Sequence, residues 1–295
     1  MRIFDAHCDT LYEMHEKQQH FAENSLHIDF SRMKKYDGYT QVFAIFTPPE
    51  KKDISRSYVK ELAELFFDQM LKNGVSICRN YGDFVSAKSK YNAFLSIEGA
   101  ECVEKISDIS ALKNMGVFMI APTWNFKNKI ACGVMEKEDT GLTEFGKEAI
   151  KEMDRLGIIL DVSHLSEKSF FEAVKIFKKP ICASHSNSKM VKNHKRNLSD
   201  EQFVTIKNSG GAVGINLYPD FLGEDIKEHI DRFLALGGED NIGLGCDFDG
   251  VDRLPDGVSG AESLEKIIKE LPYSTEFRQK IAESNFLRVL KAYNC

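Results

Sequence analysis

The sequence predicts an α/β fold, a closed (β/α)8 barrel of the TIM type built as a single domain over residues 1–295. Three observations carry that prediction. Eight short apolar runs recur along the chain, they alternate with amphipathic helical patterns, and the turn after the first run contains no glycine. Runs that are β-branched and nearly continuous, rather than alternating, mark strands buried on both faces. Eight such strands separated by helices make parallel βα units that close on themselves. An open doubly wound sheet is the alternative, but it calls for a glycine-rich phosphate loop after strand one, and DAHCDTL has none.

In order, the runs are RIFDAH (2–7), TQVFAIF (40–46), NAFLSIE (92–98), GVFMIAPTW (116–124), GIILDVSH (157–164), PICASH (180–185), GAVGINL (211–217) and NIGLGCDF (241–248). Between them, 58–74 puts Val59, Leu62, Leu65, Phe66 and Met70 on one stripe and stops at Gly74. The 143–157 segment opens on Thr143 as a cap and closes on Gly157. Segments 166–179 and 225–238 behave likewise, Ser199 with Gln202 has the form of a capping box, and 274–293 reads as the last helix.

Bulk properties narrow the function. With 295 residues, 42% of them hydrophobic, the chain can bury one large core, about 75% of its unfolded surface. A net charge of −6 gives no electrostatic footprint for nucleic acid. The seven cysteines are scattered, odd in number and free of CxxC pairs, as reduced thiols are. No apolar run approaches the ~18 residues of a membrane span, and the N-terminus lacks a signal-peptide pattern. A cytoplasmic protein without membrane or nucleic-acid partners is expected.

In a barrel, catalytic groups project from the C-terminal ends of the strands. Those positions hold His7 and Asp9, then Glu98, Trp124, His164, His185 and Asp247. Three of the chain's eight histidines fall there. Singly, each residue has a plain structural role: a bonded histidine, a helix cap at Glu98, a turn residue in DFDG. Together they are costly to bury around one cavity unless something binds them. Imidazole and carboxylate are ligands of zinc and similar divalent ions, and manganese, cobalt and iron suit the same donors. His7 and Asp9, at i and i+2 on an extended strand, point the same way and form a chelate. His164 and His185, on neighbouring strands, would hold a second ion, with Glu98 between the two sets. Such a pair generates hydroxide near neutral pH and polarises a carbonyl. Cys8, Cys182 and Cys246 alternate with these positions and read as packing.

The order of motifs, HxD in DAHCD, Glu in SIEG, His in DVSH, SHSN with the Arg of KRN eleven residues after its His, and GCDFDG, closely resembles the membrane dipeptidases, the renal dipeptidase-like branch of the amidohydrolase superfamily. The resemblance runs from Ile3 to about Val289. It implies two zinc ions per chain, one held by His7 and Asp9, the other by His164 and His185, bridged by Glu98 and a water or hydroxide. It also implies Asp247, with Asp249 as competitor, as the proton shuttle, and Arg196 as the residue binding the substrate's C-terminal carboxylate. Planar guanidinium donates two parallel hydrogen bonds to a carboxylate, which suits that task. One position departs: relatives carry Thr-His on strand four, where this chain has Thr123, Trp124 and Asn125. Trp124 and Asn125 are therefore the expected substrate-side substitutes.

These expectations amount to a zinc-dependent dipeptidase acting on free dipeptides, with a D-residue accepted at the C-terminal position and, by analogy, a homodimer. The Trp124 departure also admits a binuclear amidohydrolase acting on another amide, a lactone or a phosphoester. A metal-binding protein without hydrolytic function is the third class, disfavoured because every ligand and Asp247 are present. Loops 125–141 and 218–224 are where side-chain contacts are expected, with Tyr218 and Phe221 as candidate walls.

Overall fold

The computed structural model describes residues 1–293. Eight parallel strands form the barrel: β1 (Arg2–Cys8), β2 (Gly38–Phe46), β3 (Tyr91–Glu98), β4 (Val117–Ala121), β5 (Ile159–Leu160), β6 (Cys182–Ala183), β7 (Ala212–Ile215) and β8 (Ile242–Leu244). Each pairs with its neighbour in the chain from β1 to β5 and from β6 to β8, and β8 pairs with β1. A parallel bridge between Asp161 and Cys182 completes the ring, with the Val162 N–H donating to the Cys182 carbonyl at 2.7 Å. A two-residue strand, Ser76–Ile77, pairs beside β3 outside this circuit. The predicted barrel is the one observed.

Side chains divide into two layers. Phe4, Ala6, Val42, Phe94, Phe118, Ile159, Cys182 and Ala212, from every strand between β1 and β7, fill the lower interior. Phe286, Val289 and Leu290 of the last helix join them, and Phe286 stacks on Phe4 with ring centroids 5.5 Å apart. Ile3, Leu95, Ile97, Val213 and Ile215 face the other way and pack with the helices. Above the apolar layer the barrel narrows between β6, β7 and β8. A Cβ on Gly214 would lie 2.0 Å from the Ser184 carbonyl oxygen, and one on Gly245 only 1.7 Å from it. Glycine is the one residue that permits this approach.

The helices follow the sequence signals closely. Thr143 caps Glu144–Leu156 by accepting from the Gly146 N–H at 2.9 Å, and Gly157 ends it at φ +63°. The Ser199–Gln202 capping box closes in both directions. The C-terminal segment is helical from Thr275 to Ala292 but passes through a π turn at Lys280–Ser284. That turn lets Glu283 accept from Arg2 at 2.8 Å while Asn285 donates to the Ile242 carbonyl at 2.8 Å, pinning the helix to both β1 and β8. Six α-helices among the described residues went unread in the sequence: Thr10–Glu16 directly after β1, the short Phe30–Met33, Tyr81–Ser86, Pro219–Leu222 and Leu264–Glu270, and Ile106–Met115, whose buried stripe is as short as Asp108, Ile109 and Leu112. The strands after β4 are shorter than their apolar runs because the chain leaves the ladder early to aim side chains into the mouth.

Replacing Gly245 by alanine drives a methyl group into backbone and should destabilise the protein by about 3 kcal/mol, lowering Tm by roughly 6 °C. Gly74→Ala serves as the control, since Gly74 has positive φ but no atom within 4 Å of its would-be Cβ, so it should cost only about 1 kcal/mol. Thermal unfolding of the two variants side by side separates steric from backbone strain.

Candidate metal centre and cleft

His7 does not reach the mouth by simple alternation. Phe4 and Ala6 point into the barrel and Ile3 outward, which would send His7 outward too. A bulge intervenes: Asp5 pairs with Gln41 and Cys8 with Phe43, three residues of β1 against two of β2. The extra residue turns His7 inward and leaves Cys8 in the outer layer. Asp5 holds the bulge in place by accepting the Cys246 N–H at 2.9 Å. The extended i, i+2 chelate expected from the sequence is therefore corrected. Asp9 lies beyond the strand, as the N-cap residue of Thr10–Glu16 at φ −103°, ψ 19°. The two side chains still meet, His7 Nε2 lying 3.3 Å from Asp9 Oδ2.

His164 and Asp247 arrive by a second device, left-handed backbone at φ +69° and +61°. With Asp249 at +66°, three of the chain's four described non-glycine residues at positive φ crowd this rim. Strain of this kind costs on the order of 1–3 kcal/mol per residue and survives only where the surroundings enforce it.

The resulting cluster has two halves sharing Glu98. In one, His7 Nε2 stands 3.3 Å from Glu98 Oε2 and 3.7 Å from Asp247 Oδ1. In the other, His164 and His185 Nε2 lie 2.7 and 3.7 Å from Glu98 Oε1 and 2.9 Å from each other. The potential ligand atoms of His7, Asp9 and Glu98, and those of Glu98, His164 and His185, each fall within 4.8 Å of one another. All these side chains are buried.

Hydrogen bonding behind the rings decides which nitrogen carries the proton. His185 Nδ1 lies 2.7 Å from Ser184 Oγ, whose hydroxyl is committed to the buried Asp161 carboxylate, so the ring must donate. His164 Nδ1 donates to Asn125 Oδ1 at 3.0 Å. Both Nε2 atoms are then bare lone pairs facing a carboxylate oxygen. Three acceptors converge with no proton between them, an arrangement that is stable only around a cation. Asp9 Oδ1, buried and without a hydrogen-bond partner, points to the same need. The donor set of imidazole nitrogens and carboxylate oxygens fits a divalent metal pair, and the outer hydrogen bonds fix tautomer and ring orientation.

Electrostatics agree. Burial, then the Arg196 charge, holds the His164 pKa down to about 4, and burial with His7 and Arg196 pushes His185 well below the ordinary histidine value. Both rings stay neutral, as ligands must. Burial opposes ionisation of Glu98, yet His7 and His164 outweigh it and hold its pKa well below the usual range. His7 differs: burial favours its neutral ring, but the Glu98 and Asp9 carboxylates prevail and raise its pKa well above normal, so at this ring a metal ion competes with a proton for the same carboxylate-flanked position.

A cleft of about 440 Å³ opens over the cluster, walled by Tyr12, Phe46, Trp124, Tyr218 and Phe221. Arg196 sits in its lining although the KNHKR run around it is otherwise largely exposed. The guanidinium is buried, Nη2 is 3.4 Å from the His185 carbonyl, and Nε has no partner. Trp124 packs on Phe46 at 5.1 Å between ring centroids and forms one wall. Asn125 lines the cleft while its amide oxygen serves His164. The two candidate aspartates separate: Asn216 donates to Asp247 Oδ2 at 2.8 Å and leaves Oδ1 toward His7, whereas Asp249 accepts from Thr10 Oγ1 at 2.6 Å and the His27 N–H at 2.7 Å. Asp249 thus fastens the segment after β1, and Asp247 belongs to the cluster. Asp161, Ser184 and Asn216 were not singled out in the sequence. Asp161 left one signal, a carboxylate inside the apolar run GIILDVSH.

The membrane dipeptidase model of peptidase family M19 matches residues 1–294. The chain belongs to the membrane dipeptidase family. As a member it is a metallo-dipeptidase, and its barrel is the one the family's solved structures share. An uncharacterised dipeptidase of Schizosaccharomyces pombe is 30% identical over 261 residues, 82% of this chain and 61% of that protein. A Klebsiella pneumoniae protein from the region 5′ of pqqA, itself uncharacterised, is 36% identical over 204 residues, 62% of this chain and 75% of that one. Among solved structures, a Rhodobacter sphaeroides metallopeptidase liganded with a phosphinate mimic of L-Ala-D-Ala superposes with TM-score 0.89 at 25% identity, covering 99% of both chains. A family M19 dipeptidase does so with TM-score 0.90 at 25% identity, over 99% of this chain and 98% of that one. Despite the family's name, no helix among the described residues is long and apolar enough to cross a membrane.

Asp161→Asn tests the outer hydrogen bonds. It removes the charge behind Ser184 and His185 and should weaken metal affinity by roughly 10- to 100-fold. Titration of stripped protein in metal buffers reads this directly, and an unchanged affinity would show that Ser184 alone orients the ring.

Proposed function

We propose that this chain hydrolyses the peptide bond of free dipeptides, using two zinc ions and recognising the substrate by its C-terminal carboxylate. The observation that carries the reading is Arg196: a buried cation with an unpartnered Nε, in the lining of the same cleft as the metal cluster. A buried guanidinium is expensive unless an anion meets it, and a carboxylate matches its fork. A neutral amide or lactone substrate would leave that charge uncompensated, and a phosphoester would have to share its single anionic group between Arg196 and the metal cluster.

His7 and Asp9 would hold one ion, His164 and His185 the other, with Glu98 between them. When bound, such a pair lowers the pKa of the attacking water and polarises the scissile carbonyl. The protein does the rest. Arg196 fixes the end of the substrate, and with it the distance from carboxylate to scissile bond, so that chains longer or shorter by a residue fall out of register. Asp247 Oδ1, left free because Asn216 occupies Oδ2, accepts the proton of the attacking water and returns it to the leaving amine. Trp124 supplies an apolar wall where relatives place a histidine, so the substrate carbonyl loses one imidazole partner, and Asn125 acts through His164. Acceptance of a C-terminal D-residue is supported by the L-Ala-D-Ala mimic held by the similar Rhodobacter sphaeroides enzyme.

The test compares zinc-loaded enzyme on L,L and L,D dipeptides and on their C-terminally amidated forms. Free acids should be cleaved and amides not. Arg196→Ala should lower kcat/KM for the free acids by roughly 100-fold or more while leaving metal content intact. Equal turnover of acids and amides, or an Arg196→Ala variant as active as the parent, would falsify carboxylate recognition.

A further inference from the structure

The loop that carries Arg196 leaves β6 and closes at its root through a bridge between Ser188 and Leu198. There the Lys189 N–H donates to the Leu198 carbonyl and the Leu198 N–H to the Asn187 carbonyl, both at 2.8 Å. Across from it, after β7, Tyr218 and the short helix Pro219–Leu222 form a lip that supplies two aromatic walls of the cleft. Among the described residues no backbone hydrogen bond joins loop to lip. The Asn187 and Asn216 side chains pair at their roots, at 2.9 and 3.0 Å. Farther out the Arg196 guanidinium lies over the Phe221 ring at 5.6 Å, and His194 packs on the same ring at 4.6 Å between centroids.

A histidine outside the reaction scheme connects these outer parts. His229 is fully buried on the helix Ile226–Ala235, which Ile230 and Phe233 fix in the core, Phe233 stacking on Phe203 at 4.1 Å. Its Nδ1 stands 3.0 Å from the Ser188 nitrogen of the loop, and its Nε2 stands 2.6 Å from the Leu222 carbonyl oxygen of the lip. A main-chain N–H only donates and a carbonyl only accepts, so Nδ1 is bare and Nε2 carries the proton. One neutral tautomer satisfies both, and burial, which lowers the ring's pKa, keeps it in that form. Asn197 makes a second tie: its amide nitrogen donates at 2.8 Å to the Lys192 carbonyl within the loop and at 2.8 Å to the Phe221 carbonyl of the lip. Without His229, the buried Ser188 N–H and Leu222 carbonyl lose their partners, and both segments must shift to replace them.

We propose that His229 is a positioning residue for recognition of the substrate's carboxylate, tying the loop of Arg196 to the lip of Phe221 so that the guanidinium stays over that ring in the lining of the cleft. The proposal rests on the dipeptidase reading above and adds to it how Arg196 is held. A histidine that merely fills space would support the fold and the metal site alike. A tie to this loop acts on substrate binding, and acts through Arg196.

The experiment measures kcat and KM of the zinc-loaded enzyme for free L-Ala-L-Ala and L-Ala-D-Ala, in the parent and in variants of His229. A glutamine amide nitrogen can stand where Nε2 does, keeping the Leu222 bond and freeing Ser188, whereas an asparagine amide oxygen can stand where Nδ1 does, keeping the Ser188 bond. His229→Gln should raise KM by about tenfold, the order of one weakened hydrogen bond to a charged group, with kcat little changed and zinc content intact. His229→Asn should return KM most of the way to the parent's value. In an Arg196→Ala background, His229→Gln should lower kcat/KM no further, because the residue it acts through is gone. Parent-like kinetics in His229→Gln, a fall in kcat at unchanged KM, or a loss that adds in full to that of Arg196→Ala overturns the positioning role and leaves the dipeptidase reading intact. Should His229→Gln fail to fold, Asn197→Ala decides: it opens the second tie and should also raise KM, and an unmoved KM overturns the proposal. A parent enzyme that cleaves neither dipeptide overturns the dipeptidase reading, and this proposal with it.

Discussion

Glu98 sits at the end of β3 with one oxygen toward His7 and the other toward His164 and His185. Everything at the barrel mouth is arranged about that carboxylate. Two of the three imidazoles have spent their Nδ1 protons on Ser184 and Asn125, so what they turn toward Glu98 is lone pairs. Like poles brought together in a buried site repel strongly, because little water is present to screen them. Folding into this arrangement is favourable only with positive charge at its centre, which is what the metal of a metallopeptidase supplies. Metal binding and formation of the native mouth are in this sense one process.

The same requirement accounts for the irregular backbone. A bulge turns His7 inward, and left-handed conformations at His164 and Asp247 re-aim those side chains at the ends of their strands. A regular barrel would alternate its side chains and send these groups outward. The strain is carried by a rigid frame. The closed ladder below, the aromatic plug of Phe4, Phe94, Phe118 and Phe286, and the close approach of Gly214 and Gly245 to Ser184 leave the rim little freedom to relax. Beneath the ligands, buried Asp161 holds Ser184, and Asn187 and Asn216 hold each other, with Asn216 passing that order on to Asp247. The outer hydrogen bonds position what the metals and substrate then use.

Much of this was legible in the sequence, for identifiable reasons. The strands announce themselves because each is buried on both faces, and the ligands because histidines and carboxylates terminate those runs. Arg196 was readable from its spacing after His185, even inside a basic run that looks like a solvated loop. What stayed hidden depends on backbone geometry or on hydrogen bonds between distant residues. The bulge at β1 has no residue signature, so the meeting of His7 and Asp9 was reached through an extended geometry that the structure does not have. Asp161 and Asn216 look like ordinary polar residues until their partners, Ser184 and Asp247, are brought across the barrel. Asn125 reads as a substrate contact until His164 is seen to take its oxygen.

The account stands on Glu98 joining two metal sites, and metal stoichiometry tests that most directly. Metal-stripped protein titrated with zinc, followed by calorimetry and by metal analysis after gel filtration, should take up two equivalents per chain. The Glu98→Ala variant should retain one at most, because both halves of the cluster lose a ligand. Saturation of the parent at a single equivalent, or an alanine variant that still binds two as tightly, would contradict a centre bridged by Glu98.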